Sequence, residues 1–432
     1  MTIIKNASQI LTLAGNDLGV IEKSSIVINA DKISDVRYPA SNIKCQITID
    51  ATNCVVMPGY VDCHTHLVFA GSRENEFAMR LEPRPSNKGN EKFKDVKKCR
   101  TKTQNEERGE GKTYKEILSA GGGILQTVSE TRKASKKELI DLAQKRIDEL
   151  IQWGTTTVEI KSGYGLDTAS ELKILRVINQ LKKANKDKIT IVPTFLGAHA
   201  IPFNISKTTY IKKIISEMIP RVAKENLAQF CDVFCENFVF DAKESKKILK
   251  RAKKFCLVPK IHADEIESSG GAEVAGEVGA ISAEHLLYPS DKGLKTMRQK
   301  NVVAVLLPGT TLFLKSKQIP PIDKMRKLGL TIALGSDYNP GTCMIYQMPI
   351  IIAFGCLLYN MSLNEAIRGA TINSAKALGL DKKIGSIEVG KNADIIILDI
   401  PDYKHIPYQF GKNLIKTVIK KGKVIYSRKI RG

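Results

Sequence analysis

The sequence predicts an α/β protein, a (β/α)8 TIM barrel joined to a small β-sandwich domain that both ends of the chain build. Three observations predict it. Through the middle of the chain, β-branched runs, polar loops and amphipathic stretches alternate at the pace of βα units, and eight such runs can be counted. Both termini read as short strands separated by Asn, Asp and Gly, and two β regions at opposite ends of a chain can pair into one domain. Five of the six histidines stand at predicted strand ends, the edge of such a barrel that carries function.

In chain order, residues 1–57 are the first β region, with IVINADKISDVR and IKCQITIDATNCVV as its clearest runs. VVMPGYVDCHTH reads as the first barrel strand. Residues 82–112 then break the pattern. They hold ten Lys or Arg, six acids and only three apolar residues, too few to bury a surface, and read as a basic flexible insertion in the barrel. GTTTVEIKSGYG is a strand running into a loop. SELKILRVINQLKKAN is a helix, because Leu172, Leu175, Val177, Ile178 and Leu181 fall near the 3.6-residue period. TIVPTFLGAHA, CDVFCENFVF, CLVPKIHADE, AISAEHLLY, NVVAVLLPG and LTIALGSDYNPG supply the later strands. ADIIILDIPD and LIKTVIKKGKVIYSRK return to β structure, with KKGK as a hairpin turn. The expected domains are 1–57 with 380–432 as the composite sandwich and 58–379 as the barrel.

Composition sets outer limits. The 432 residues are 43% apolar and 26% charged, ordinary globular values that exclude disorder over most of the chain, collagen and coiled coil. Nine cysteines, an odd number with no CxxC pair, fit a reducing compartment. The N-terminal run is not a signal peptide, and the longest apolar stretch, Met348 to Tyr359, is too short to span a bilayer. The protein is expected to be soluble and cytoplasmic, without a membrane partner. A net charge of +22 invites a nucleic-acid reading, but such a protein needs aromatics among its basic runs. Residues 82–112 offer only Phe93, and the basic C-terminal segment only Tyr426, so no nucleic-acid partner is expected.

The histidines define a candidate metal site. His64 and His66 form an HxH, and on a strand residues i and i+2 share a face, so both rings can reach one ion. Asp62 shares that face. His262 ends LVPKIH and Asp337 ends TIALGSD. Three imidazoles and one carboxylate make a sound set for zinc or iron. Glu265, three residues beyond His262, and His285, at another strand end, are placed for proton transfer. With Asp337 they form the candidate catalytic set. A redox-inert site with water and proton relays points to hydrolysis. Lys161 is a candidate for bridging a second metal, but it follows an earlier strand than such bridges use, and a single ion is expected. GSIEVGKN has the spacing of a phosphate loop, but Asn392 stands where Ser or Thr belongs and the context is β.

The segment PGYVDCHTH, Pro58 to His66, resembles the signature of the amidohydrolase superfamily. RENEF, TVEIKSGYGLD, TFLGAHAIP, CDVFCENFVF, IHADE, VLLPGTT and ALGSDYNPGT resemble one of its families, the imidazolonepropionases, over nearly the whole chain. The resemblance implies hydrolysis of the cyclic amide of 4-imidazolone-5-propanoate to N-formimidoyl-L-glutamate in histidine degradation, and a homodimer. It also implies substrate contacts at Arg73, Tyr164, His199, Glu265, Asn339, Gly341 and Thr342. Arg73 is the expected partner of the propionate carboxylate. Two departures stand out: Cys63 where the family commonly has Pro, and the insertion at 82–112. The alternative is another mononuclear amidohydrolase, such as a cyclic-amidine deaminase, which would not need Arg73.

Overall fold

The computed structural model describes residues 1–37, 45–81 and 123–428, so the insertion at 82–112 lies outside the described residues. Eight parallel strands succeed one another in chain order around the centre. They follow five strands of the first β region, β1 (Thr2–Leu11), β2 (Val20–Asn29), β3 (Lys32–Arg37), β4 (Ile47–Asp50) and β5 (Val55–Pro58). The eight are β6 (Tyr60–Asp62), β7 (Thr155–Lys161), β8 (Thr190–Ala198), β9 (Phe230–Cys235), β10 (Val258–Ala263), β11 (Ser282–His285), β12 (Val303–Leu306) and β13 (Ile332–Leu334). Helices fill the intervals between most of these strands, as the alternation predicts.

The first and last barrel strands meet just beyond their regular ends. Asp337 N–H donates to the His64 carbonyl at 2.9 Å, and His66 N–H donates to the Tyr338 carbonyl at 3.0 Å. This closure brings the HxH and Asp337 together.

The stretch expected to be one first strand is two. β5 pairs with β1 and with β14 (Ile395–Leu398) in the terminal sheet, whereas β6 pairs with β7 in the barrel. Gly59 lies between them, and a Cβ there would sit 2.3 Å from Thr156 of β7. Only glycine lets the chain cross this close to the barrel while changing sheets. β15 (Ile415–Lys420) and β16 (Lys423–Ser427) complete the terminal sheet as a hairpin across Lys421 and Gly422. Ile4, Ile10, Ile26, Ile28, Val56, Ile395 and Ile397 form its own core. The buried Lys420 ammonium ties it to the barrel, donating to Asp394 at 2.6 Å and to the Thr156 carbonyl at 2.8 Å.

Helix Thr168–Ala184 shows how local pattern becomes packing. Asp167 caps it by accepting from Ser170 N–H, and Lys182 and Lys183 stand at its carbonyl end. Leu172, Leu175, Val177, Ile178 and Leu181 are all buried, as their spacing predicts. On the strands the period is two. Val158, Ile160 and Ile261 join the main hydrophobic core, while Glu159, Lys161, Lys260 and His262 alternate with them and are buried with other polar groups. Among the described residues no helix is long and apolar enough to cross a membrane, and the eight described cysteines are free.

Candidate active site

Strand ends and the loops after them aim the functional side chains at one place. His64 and His66 follow β6, with rings 5.3 Å apart. His262 stands near the end of β10, its ring 4.6 Å from that of His64 and 5.5 Å from that of His66. Nitrogens of the three rings lie within 4.8 Å of one another. Asp337 completes the set, its Oδ1 3.4 Å from Nε2 of both His64 and His66. Its other oxygen accepts from Thr310 Oγ1 at 2.6 Å, which fixes the carboxylate with Oδ1 toward the histidines.

These residues fit a metal ion. All four are buried, and His64 Nε2 and His262 Nε2 have no hydrogen-bond partner. A buried nitrogen left so costs free energy unless something accepts its lone pair. Burial holds His64 and His66 well below the ordinary imidazole value, so both are neutral, the state that ligates. On the far side of its ring, His262 Nδ1 lies 3.0 Å from Asp232 Oδ2. A carboxylate there places the ring proton on Nδ1 and leaves Nε2 to face the site. Burial opposes the charge on Asp232, but His262 and Lys161 beside it hold its carboxyl well below the usual range.

Glu265 and His285 stand on the opposite flank, Oε2 to Nε2 at 3.4 Å. Burial, and then the carboxylates of Asp337 and Glu236, push Glu265 well above the ordinary carboxyl value. Burial lifts Asp337 to about 6. The Glu265 loop is held from below. Glu236 accepts the N–H groups of Glu265 and Ile266 at 2.7 and 3.0 Å, and Asp264 accepts those of Ser269, Gly271 and Ala272. His285 carries a φ of 70°, a left-handed conformation costing roughly 1–3 kcal/mol, at the point where its ring turns inward.

The site opens into a small cavity. Tyr164, His199, Asn339, Thr342 and Arg73 line it, together with Phe234 and Ile124. His199 stacks on His66 at 4.9 Å, and its Nδ1 lies 3.1 Å from the Gly163 carbonyl. Burial above all lowers His199 to about 3, so its ring is neutral. The loop bearing Tyr164 is pinned by Glu171, whose carboxylate accepts three backbone N–H groups, from Gly163, Gly165 and Leu166. Asn339 uses its amide within its own loop, accepting from Gly341 and Thr342 N–H and donating to the Asp337 carbonyl. Cys63 points away from the site, toward the Leu334 carbonyl and the apolar packing around Val61 and Val303.

Two sequence expectations are refined. Arg73 lines the cavity, but its Nε and Nη2 are engaged by Glu76 at 2.8 and 2.7 Å, so that edge of the guanidinium serves to orient it. Gly341 does not line the cavity. It packs behind Arg73, where a Cβ would lie 1.9 Å from Nη1. With Glu76 holding the guanidinium, Gly341→Ala is expected to displace it, raising KM about tenfold while kcat and metal content stay near wild type. Steady-state kinetics with metal analysis checks this.

Sequence reasoning missed Glu76, Thr310, Phe234 and the charged floor beneath the metal ligands. Glu159, Asp232 and Glu284 are buried there with Lys161 and Lys260. Lys161 Nζ lies 2.8 Å from Asp232 and 2.9 Å from Glu159, and Lys260 Nζ lies 3.0 Å from Glu159. Burial works to lower the Lys161 value, but Asp232, Glu159 and Glu284 hold it above the ordinary one. A signal was present: Glu159/Lys161 and Lys260/His262 are ionisable i, i+2 pairs inside buried strands.

The amidohydrolase family model matches residues 55–425. The chain is 42% identical to an imidazolonepropionase of Clostridium tetani (strain Massachusetts / E88), covering 99% of this chain and 98% of that protein. It is 43% identical to an imidazolonepropionase of Thermoanaerobacter pseudethanolicus, covering 97% and 96% respectively. Among solved structures, an adenosine deaminase from Xanthomonas campestris with bound zinc superposes with a TM-score of 0.67 at 16% identity, over 98% of this chain and 92% of that one. At that identity the likeness is one of fold.

Proposed function

The chain belongs to the amidohydrolase family and, within it, to the imidazolonepropionases, and we propose on that premise that it opens the ring of 4-imidazolone-5-propanoate in histidine degradation, giving N-formimidoyl-L-glutamate. One observation carries the reading. A single cavity joins metal-ligand candidates His66, His262 and Asp337 to Glu265 and His285, and to an arginine suited to a carboxylate.

His64, His66, His262 and Asp337 would hold one ion, zinc or iron. Such an ion, when bound, lowers the pKa of a water toward ~7 and polarises a carbonyl oxygen. Arg73 meets the propionate tail, and Tyr164, His199, Asn339 and Thr342 wall the ring. Glu265 takes a proton from water as the water oxygen attacks the ring carbonyl carbon. His285 steadies the oxygen that gains charge, and Asp337 assists in the proton relay. Glu265 then delivers the proton to the ring nitrogen as the C–N bond breaks. Water supplies every atom added, leaving a carboxylate and an open amidine. A homodimer and a cytoplasmic location belong to the same proposal, supported by the family resemblance and by the free cysteines.

The test is the loss of imidazolonepropionate ultraviolet absorbance with purified, metal-loaded protein. Loss of absorbance without release of ammonia is expected. A metal-loaded protein that leaves the substrate intact would move the reading to another cyclic amide or amidine. Arg73→Ala separates these readings. Removing one partner of a buried charge pair costs ~2–5 kcal/mol, so kcat/KM on the propionate substrate should fall about 30-fold or more with metal content unchanged. An unaltered kcat/KM would remove Arg73 from the carboxylate site.

A further inference from the structure

Below the ligand set lies a second group of converging donors. Asp232, Glu284 and His262 offer ligand atoms within 4.8 Å of one another, all buried. Glu284 Oε2 is fully buried with no hydrogen-bond partner. It points among three nitrogens: His64 Nδ1 at 3.8 Å, Lys161 Nζ at 3.9 Å and His262 Nδ1 at 4.0 Å. Its other oxygen accepts from Ser282 Oγ at 2.6 Å and lies 3.4 Å from Lys260 Nζ. The cation already present is the Lys161 ammonium, 2.8 Å from Asp232 Oδ2 and 2.9 Å from Glu159 Oε2.

We propose that the Lys161 ammonium is the resident cation of a second, deeper cation site formed by the carboxylates of Asp232, Glu159 and Glu284, and that it thereby holds the centre above to a single metal ion. The proposal rests on the metal reading above. Charge supports it. Three carboxylates, Glu159, Asp232 and Glu284, face two lysines, Lys161 and Lys260. Taking away Lys161 leaves three negative charges against one positive, an excess of two that a divalent cation would neutralise. Uncompensated charge in an interior is costly, so the emptied cage should draw such an ion in. Carboxylate-rich donors suit Mn²⁺, while three imidazoles above favour Zn²⁺ over Mn²⁺.

The experiment uses full-length Lys161→Ala and wild type. Each is stripped of metal, then dialysed against Zn²⁺ and Mn²⁺ together, and both metals are counted. Wild type is expected to hold one equivalent in total. Lys161→Ala should hold two, with the Mn²⁺ raising its Tm, and adding Asp232→Asn should remove the second. A Lys161→Ala protein that holds one equivalent overturns the proposal. So does one that stays unfolded with both metals present, since the ion should replace the ammonium, and so does a wild type that takes two. A wild type that takes none sinks the metal reading instead.

Discussion

Glu265→Gln is expected to lower kcat by about 10²–10⁴-fold, the range for loss of a general acid–base group, while metal content and fold stay intact. The substitution keeps the size and the hydrogen-bonding shape of the side chain. It removes only the ability to take and return a proton. Glu265 is well placed for this test because it stands beside the ligand set without belonging to it, and its loop is fixed independently by Glu236 and Asp264. Its side chain is 11% exposed, at the cavity wall. Burial and the neighbouring carboxylates raise its value above that of an ordinary carboxyl. A base must be deprotonated, so the rate should rise with pH along a limb displaced upward from the ordinary carboxyl range. The residual activity of the Gln variant should lack that limb. Rate–pH profiles of both proteins, with metal analysis, check the two expectations. Unchanged turnover in a metal-loaded variant would take the base role from Glu265.

Removal of the metal is expected to have the largest effect on rate. A chelated and dialysed protein should lose more than 99.9% of its turnover, about four kcal/mol or more of barrier, and one equivalent of zinc or iron should restore it. Stability should move with it. An ion that binds the folded chain and not the unfolded one stabilises by about 2.7 kcal/mol at a hundred times its Kd, so Tm should fall by several degrees on chelation. The structural reason is the pair of buried ring nitrogens, His64 Nε2 and His262 Nε2, that have no hydrogen-bond partner. Activity that survives complete chelation would exclude the ion from the mechanism. Differential scanning calorimetry on both forms gives the second readout.

Much of the fold was legible because its signals are local. Helix Thr168–Ala184 announces itself by the spacing of five apolar residues, and each is buried. The barrel strands read as apolar runs ending in polar residues, and their number and order are as expected. The change of sheets at Gly59 was only partly legible. Pro58 and Gly59 interrupt the run VVMPGYVD, but what demands glycine there is the approach of Thr156 from another strand. The lining of the cavity was partly legible through family motifs, which carried Tyr164, His199 and Arg73 to its wall but gave no role to Glu76 behind Arg73.

The sequence by itself determined the chemistry available: which residues can ligate, which can move a proton, and that strand period two puts His64 and His66 on one face. Only the tertiary structure decided their meeting. Asp337 reaches the HxH because the last strand closes on the first through the His64 and Tyr338 carbonyls. The charged floor of Glu159, Asp232 and Glu284 around Lys161 exists because three separate strands turn those residues inward at one level. Periodicity is a property of neighbours in the chain and is written in it. Register and closure are set by strands far apart in sequence, and no local pattern encodes them.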